Sequence, residues 1–211
     1  MKTAIFTVTA ALIATAATAT PLLPGGSVSP IPVYGTTLNA ATPVAPTFIS
    51  NFTSPGGHYT GQLRSGVFTN CADNPFGLGF LTFAYVLLND VTSTDALGRF
   101  TVNGFGTTSI DSGSEPLTAN PAYTDAFENT RQADGDSVGW TFVELGMFSR
   151  MMPGDTSRIF VLHTNATTYG INAASVINGD IATAQAYAPL PTPGAAALLG
   201  LGGLAIARRR R

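Results

Sequence analysis

Between residues 58 and 188 no segment of this 211-residue chain sustains a 3.6-residue apolar period, so nothing there builds an amphipathic helix. What recurs is a short apolar alternation closed by Gly, Pro, Asn or Asp. In residues 62–69, Leu63, Ser65 and Val67 oppose Arg64, Gly66 and Phe68, the two-residue period of a half-buried strand. Residues 78–89 are apolar on both sides and predict a central strand with one face in the core and the other covered. Residues 97–105 follow, with Phe100 and Val102 inward and Arg99 and Thr101 outward. Residues 138–148, 157–164, 173–177 and 181–186 complete the set. Turn signals separate them: Asn89-Asp90, Asn103-Gly104, Asp111-Ser112-Gly113, Asp134-Gly135-Asp136, Met152-Pro153-Gly154-Asp155 and Asn178-Gly179-Asp180.

Many short strands, frequent turns and no crossover helix predict an all-β fold. The expected architecture is a single antiparallel β-sandwich, jelly-roll or immunoglobulin-like, over residues 58–188. Residues 109–133 read as a long loop or short helix over the sheet edge. Residues 20–57 are dense in Pro and Gly and read as an extended lead-in. It should contribute one edge strand at most, around residues 48–52, because Pro is confined to sheet edges.

Both ends read as addresses rather than fold. Met1-Lys2 is a minimal basic start, residues 4–16 are an apolar run, and Ala17-Thr18-Ala19 is an Ala-x-Ala cleavage site. Residues 1–19 are therefore expected to be a secretory signal peptide, with the mature chain starting near Thr20. Residues 189–211 combine a Pro/Gly motif (Pro191, Thr192, Pro193, Gly194), an apolar run to Ala207, and the basic end Arg208, Arg209, Arg210 and Arg211. A helix over residues 194–207, at about 1.5 Å per residue, falls short of a hydrocarbon core of roughly 30 Å. It predicts transient membrane insertion rather than a lasting anchor, with the arginines held in the cytoplasm.

This C-terminal triad resembles the PEP-CTERM sorting signal of exported bacterial proteins, in the variant where Pro-Thr-Pro-Gly replaces Pro-Glu-Pro. Thr192 stands where most members carry Glu. The resemblance implies recognition by an exosortase-type membrane protease together with the secretion machinery, cleavage near Pro191–Gly194, and delivery to the cell surface or extracellular matrix. A rival resemblance is the sortase signal Leu-Pro-x-Thr-Gly, with Pro193 standing where that motif needs Thr. Residues 81–85, 99–105, 153–157 and 163–167 are also similar to the globular part of the same exported family. That likeness implies a β-sandwich and no particular activity.

Charge narrows the partners. Lys2 is the only lysine, and Arg64, Arg99, Arg131, Arg150 and Arg158 are the only cations between the two ends. All the acids lie between Asp73 and Asp180, so the exported body is acidic and poorly made to hold a phosphate backbone. No nucleic-acid partner is expected. Cys71 is the sole cysteine, so no internal disulfide forms and Cys71 reads as a small buried hydrophobe.

No catalytic constellation stands out. His58 lies in a Gly-rich loop and His163 at a strand end, neither with a spaced ligand or a Gly-x-Ser-x-Gly serine. Residues 104–108 begin like a phosphate loop but run into turn residues. Asp134, Asp136 and Glu144 are the carboxylates that glycoside hydrolysis would require, with Trp140 as a sugar platform. Asp134 and Asp136 also supply oxygens suited to Ca²⁺, without EF-hand spacing. Tyr85, Tyr123, Trp140 and Tyr169 are the aromatics that a carbohydrate-binding module of an extracellular polysaccharide layer would present. The expectation is a non-enzymatic surface or matrix protein without metal or cofactor. A polysaccharide-binding module is the first alternative and an extracellular hydrolase the second.

Overall fold

The computed structural model describes residues 20–35, 37–116, 123–143 and 151–190. The expected signal peptide and C-terminal helix lie outside them. Among the described residues twelve strands form: β1 Ser27–Val28, β2 Thr42–Pro43, β3 Phe48–Thr53, β4 Thr60–Thr69, β5 Thr82–Asn89, β6 Arg99–Asn103, β7 Ile110–Glu115, β8 Glu128–Arg131, β9 Ser137–Thr141, β10 Ile159–Thr164, β11 Tyr169–Asn178 and β12 Asp180–Pro189. They make two antiparallel sheets, one ordered β1-β8-β9-β6-β11-β12 and the other β2-β4-β5-β10-β7 with β3 also paired to β4. The fold is an all-β sandwich.

The apolar alternation places the core between the sheets. Leu63, Val67, Phe83, Tyr85, Leu87, Phe160 and Leu162 face inward from one sheet, and Phe100, Val102, Val138, Trp140 and Val176 from the other. An aromatic stack fills the centre. Phe100 lies flat on Trp140 with ring centroids 4.5 Å apart and planes 9° from parallel, and Phe160 meets both. Along β12 the inward positions are Ala182, Ala184, Ala186 and Ala188. Such short side chains let this edge close onto β3 and β4, where Gln185 and Tyr187 amides donate to Ser50 and Ser65 hydroxyls. The Asn178-Gly179-Asp180 signal makes the β11–β12 hairpin, with Gly179 at φ +79°, a conformation glycine adopts without strain.

Three expectations need correction. The described parts of residues 109–133 are not a loop or helix over the edge, because β7 and β8 lie within them. Asp111-Ser112-Gly113 is no turn either. These residues are the middle of β7, paired in register with His163, Leu162 and Val161 of β10. The lead-in contributes more than one edge strand, since β1, β2 and β3 all pair. It also caps the free edge of β7. Ser112 donates to the Thr20 carbonyl, Leu22 to that of Ile110, Ser114 to that of Pro32, and Tyr34 to that of Ser114. Pro21 and Pro32 sit on this edge because a residue without an N–H ends the ladder there instead of offering it onward.

Smaller differences concern boundaries. The apolar stretch 78–89 becomes strand only from Thr82, and the described part of 138–148, which ends at residue 143, is strand to Thr141.

Candidate functional site

The lead-in crosses the outer face of the β4-β5-β10-β7 sheet and closes over a row of polar residues. The row follows from register. Asp111 on β7 is the cross-strand partner of His163 on β10, which is the partner of Thr82 on β5. The Tyr34 ring covers the row, 5.0 Å from the His163 ring between centroids. Its hydroxyl donates to Asp111 Oδ2 at 2.6 Å, and the Thr20 nitrogen donates to Asp111 Oδ1. Gly113 makes room for this lid, because a Cβ there would lie 2.0 Å from Cε2 of Tyr34.

The interior of the row is sealed. His163 is fully buried, with Nδ1 2.9 Å from the Thr82 hydroxyl. Asn74 donates to Thr82 Oγ1 and to the Thr164 carbonyl, both at 3.3 Å. Thr82 also hydrogen bonds the Cys71 thiol. Burial lowers the His163 pKa to about 4, so the ring is neutral near pH 7. Burial also pushes the Tyr34 hydroxyl up, with Asp111 adding to it, and raises the Cys71 thiol. The Asp111 carboxyl is raised by burial, against a pull downward from Tyr34 and Thr20. A neutral imidazole and an un-ionised thiol without solvent access make a structural seal rather than a nucleophilic site.

Two openings on the described surface bear on function. A polar cleft of about 570 Å³ is lined by Asn51, Gln62, Asn89, Asp90 and Asp155 among others. Its carboxylates anchor loops. Asp155 Oδ2 accepts from the Met152 amide and Thr124 hydroxyl, and Asp90 Oδ1 accepts from the Thr92 amide and hydroxyl. The Thr92 bonds lower the Asp90 carboxyl. Among the described residues no aromatic lines this cleft. The other opening, about 360 Å³, lies between the lead-in and the 106–109 loop, with Asp111 and Arg131 in its wall. Buried Arg131 donates to the carbonyls of Gly135, Leu22, Phe105, Gly106 and Thr108, and desolvation lowers its pKa. The phosphate-loop look of residues 104–108 therefore has another cause: the loop turns carbonyls toward Arg131.

The residues singled out in the sequence are scattered. Asp134 and Asp136 are exposed in the β8–β9 turn, where Oδ1 of the first accepts from the amide of the second at 2.9 Å. Trp140 and Tyr85 belong to the core and present no face to solvent. Tyr123 lies under Arg158, whose guanidinium carbon is 4.5 Å from the ring centre. Tyr169 packs edge-to-face on Tyr187 at 5.5 Å and is half-buried. His58 is exposed in a turn. Glu144, Ala17, Ala19, Pro191, Thr192, Pro193, Gly194 and Arg208, Arg209, Arg210 and Arg211 lie outside the described residues. No group of three or more His, Cys, Asp or Glu able to hold a metal occurs among the described residues. Tyr34, Asp111 and Arg131 were not singled out. The first sits in a Pro-rich run, the second inside a turn signal, and the third among surface cations.

Compared with known proteins, the chain matches no family model, no curated protein and no solved structure.

Proposed function

We propose that the chain is an exported, non-enzymatic bacterial protein of the cell surface or extracellular matrix. On this reading it is cut after Ala19 and again near Pro191–Gly194 by an exosortase-type protease, and its sandwich is the part displayed. The observation that supports the reading is how the described sandwich is held at its two ends. The Thr20 carbonyl is already bonded to β7, one residue after the expected signal cleavage. At the other end β12 stops at Pro189, and the Leu190 amide donates to the Thr168 carbonyl just before Pro191. The described residues between 20 and 190 supply two sheets and a continuous core.

The test is the intact mass of the protein recovered from the surface of its native host. An end near Pro193 or Gly194 is expected, and an end at Arg211 would defeat the sorting reading.

A second reading, a polysaccharide-binding module, is favoured by the polar cleft. Amide side chains such as Asn51 and Gln62 hydrogen bond sugar hydroxyls as donors and acceptors alike. Saturable binding to a purified polysaccharide, weakened by Asn51→Ala with Gln62→Ala, would support it. Binding unchanged in that double variant would remove it.

A further inference from the structure

The first described residues are fixed against the sandwich. Pro21 bridges Asp111 in antiparallel fashion, and the backbone bonds of Thr20 and Leu22 to β7 flank that bridge. Leu22 is 1% exposed, its carbonyl accepts from Arg131, and the Gly25 amide donates to the carbonyls of Arg131 and Gln132. The chain is therefore held from Thr20 onward. The Thr20 nitrogen faces Asp111 Oδ1, while Tyr34 occupies the other carboxylate oxygen.

Asp111 is 2% exposed, and no side-chain cation forms an ion pair with it among the described residues. His163 across the strand is neutral, and Arg131 in the same cavity wall is taken up by carbonyls. A buried carboxylate facing an amide N–H is a costly arrangement, whereas an ammonium at the same place supplies the missing opposite charge.

We propose that hydrolysis of the Ala19–Thr20 bond completes this site, the new α-ammonium of Thr20 becoming the buried cation paired with Asp111. The sandwich is then locked by its own maturation. The inference rests on the signal-peptide reading. Water alone balances the step. The Ala19–Thr20 carbon–nitrogen bond breaks, the water oxygen enters the Ala19 carboxylate, and both water hydrogens go to the Thr20 nitrogen. The groups facing the pair are Tyr34 from the lead-in, His163 from β10, and Arg131 across the cavity.

The composition provides a clean probe. Lys2 is the only lysine, so a chain starting at Thr20 has one amine, its own N-terminus. The exported protein recovered from its host is first mass-mapped at the N-terminus, then reductively methylated with formaldehyde and cyanoborohydride over a pH series, folded and in urea. A start at Thr20 is expected. The folded protein should label about tenfold or more slowly than the unfolded at pH 7.5, with an apparent amine pKa above the ordinary range of about 7.7–8.0. Asp111→Asn should remove most of that protection. Burial without a paired carboxylate would shift the amine the other way, so the wild-type pH profile decides even if Asp111→Asn fails to fold. A start other than Thr20 overturns the cut site and the ion pair together. A start at Thr20 with an amine pKa at or below the ordinary range, or with protection retained in folded Asp111→Asn, overturns the ion pair and leaves the export reading standing.

Discussion

The Tyr34 ring occupies the place where a side chain at Gly113 would begin, 2.0 Å from an ideal Cβ. A glycine in mid-strand and an aromatic in a Pro-rich lead-in are thus one feature, the means by which the lead-in clamps the sheet. Gly113→Ala should push the ring off, breaking its bond to Asp111 and costing about 2–3 kcal/mol. Tyr34→Ala should cost about 3–5 kcal/mol. In the double variant the alanine at 113 meets no ring, so its loss should not exceed that of Tyr34→Ala alone. Urea denaturation of the four proteins measures this, and additive losses would refute the clamp.

His163 predicts a pH dependence with a definite sign. Its folded value of about 4 lies below the ordinary 6.5, so the unfolded chain binds the proton first as pH falls. The stability it supplies is complete above pH 6.5 and declines between 6.5 and 4, by at most about 3 kcal/mol. Asp111 in the uncut chain acts oppositely, because a raised carboxyl favours the folded state at low pH and that advantage is lost as pH rises. Tyr34, raised by burial, adds loss only as pH climbs past 10. His163→Asn should flatten the urea midpoint between pH 6.5 and 4.5, and an unchanged slope would show that the ring is not held neutral.

How much of this was legible depends on which interaction decides each residue. Val67, Phe100 and Val102 declare their face because apolar burial is what places them, and alternation records it. Asn178-Gly179-Asp180 declares a hairpin because a positive φ is a local requirement. Ile110–Glu115 does not, for its partners are all distant in sequence: Asp111 is set by Thr20 and Tyr34, Gly113 by the Tyr34 ring, and Glu115 by the Leu38 amide. A strand buried along its whole length yet built from Asp, Ser, Gly and Glu defies any pattern based on hydrophobicity. Trp140 was ambiguous for a different reason. An aromatic that stacks on sugar and one that stacks on Phe100 look the same until the opposing sheet is placed.

Trp140 is the only tryptophan, which makes its burial measurable. Its emission should be blue-shifted, resist acrylamide quenching, and stay unchanged when polysaccharide is added. Trp140→Ala should cost about 3–5 kcal/mol through loss of the stack with Phe100 and Phe160. A saturable fluorescence change on adding polysaccharide would contradict the core assignment.

Arg131 ties the lead-in to the 106–109 loop and the β8–β9 turn through a planar fork of donors aimed at several carbonyls. An ammonium is a point with three donors and cannot reach so spread a set of acceptors. Arg131→Lys should therefore leave buried carbonyls unsatisfied, at about 1–3 kcal/mol for a group so stranded. The damage should be local. Hydrogen exchange at the Leu22 and Gly25 amides, which hold the lead-in to β7 and β8, should quicken by about tenfold or more, the factor that 1.4 kcal/mol brings. Exchange at Val161 and Leu162 of β10, the strand inside β7 in the same sheet, should stay as slow as in the parent. Equal acceleration in both places would mean that Arg131 supports the whole sandwich rather than the anchoring of its first residues, and the lead-in would lose its separate fastening.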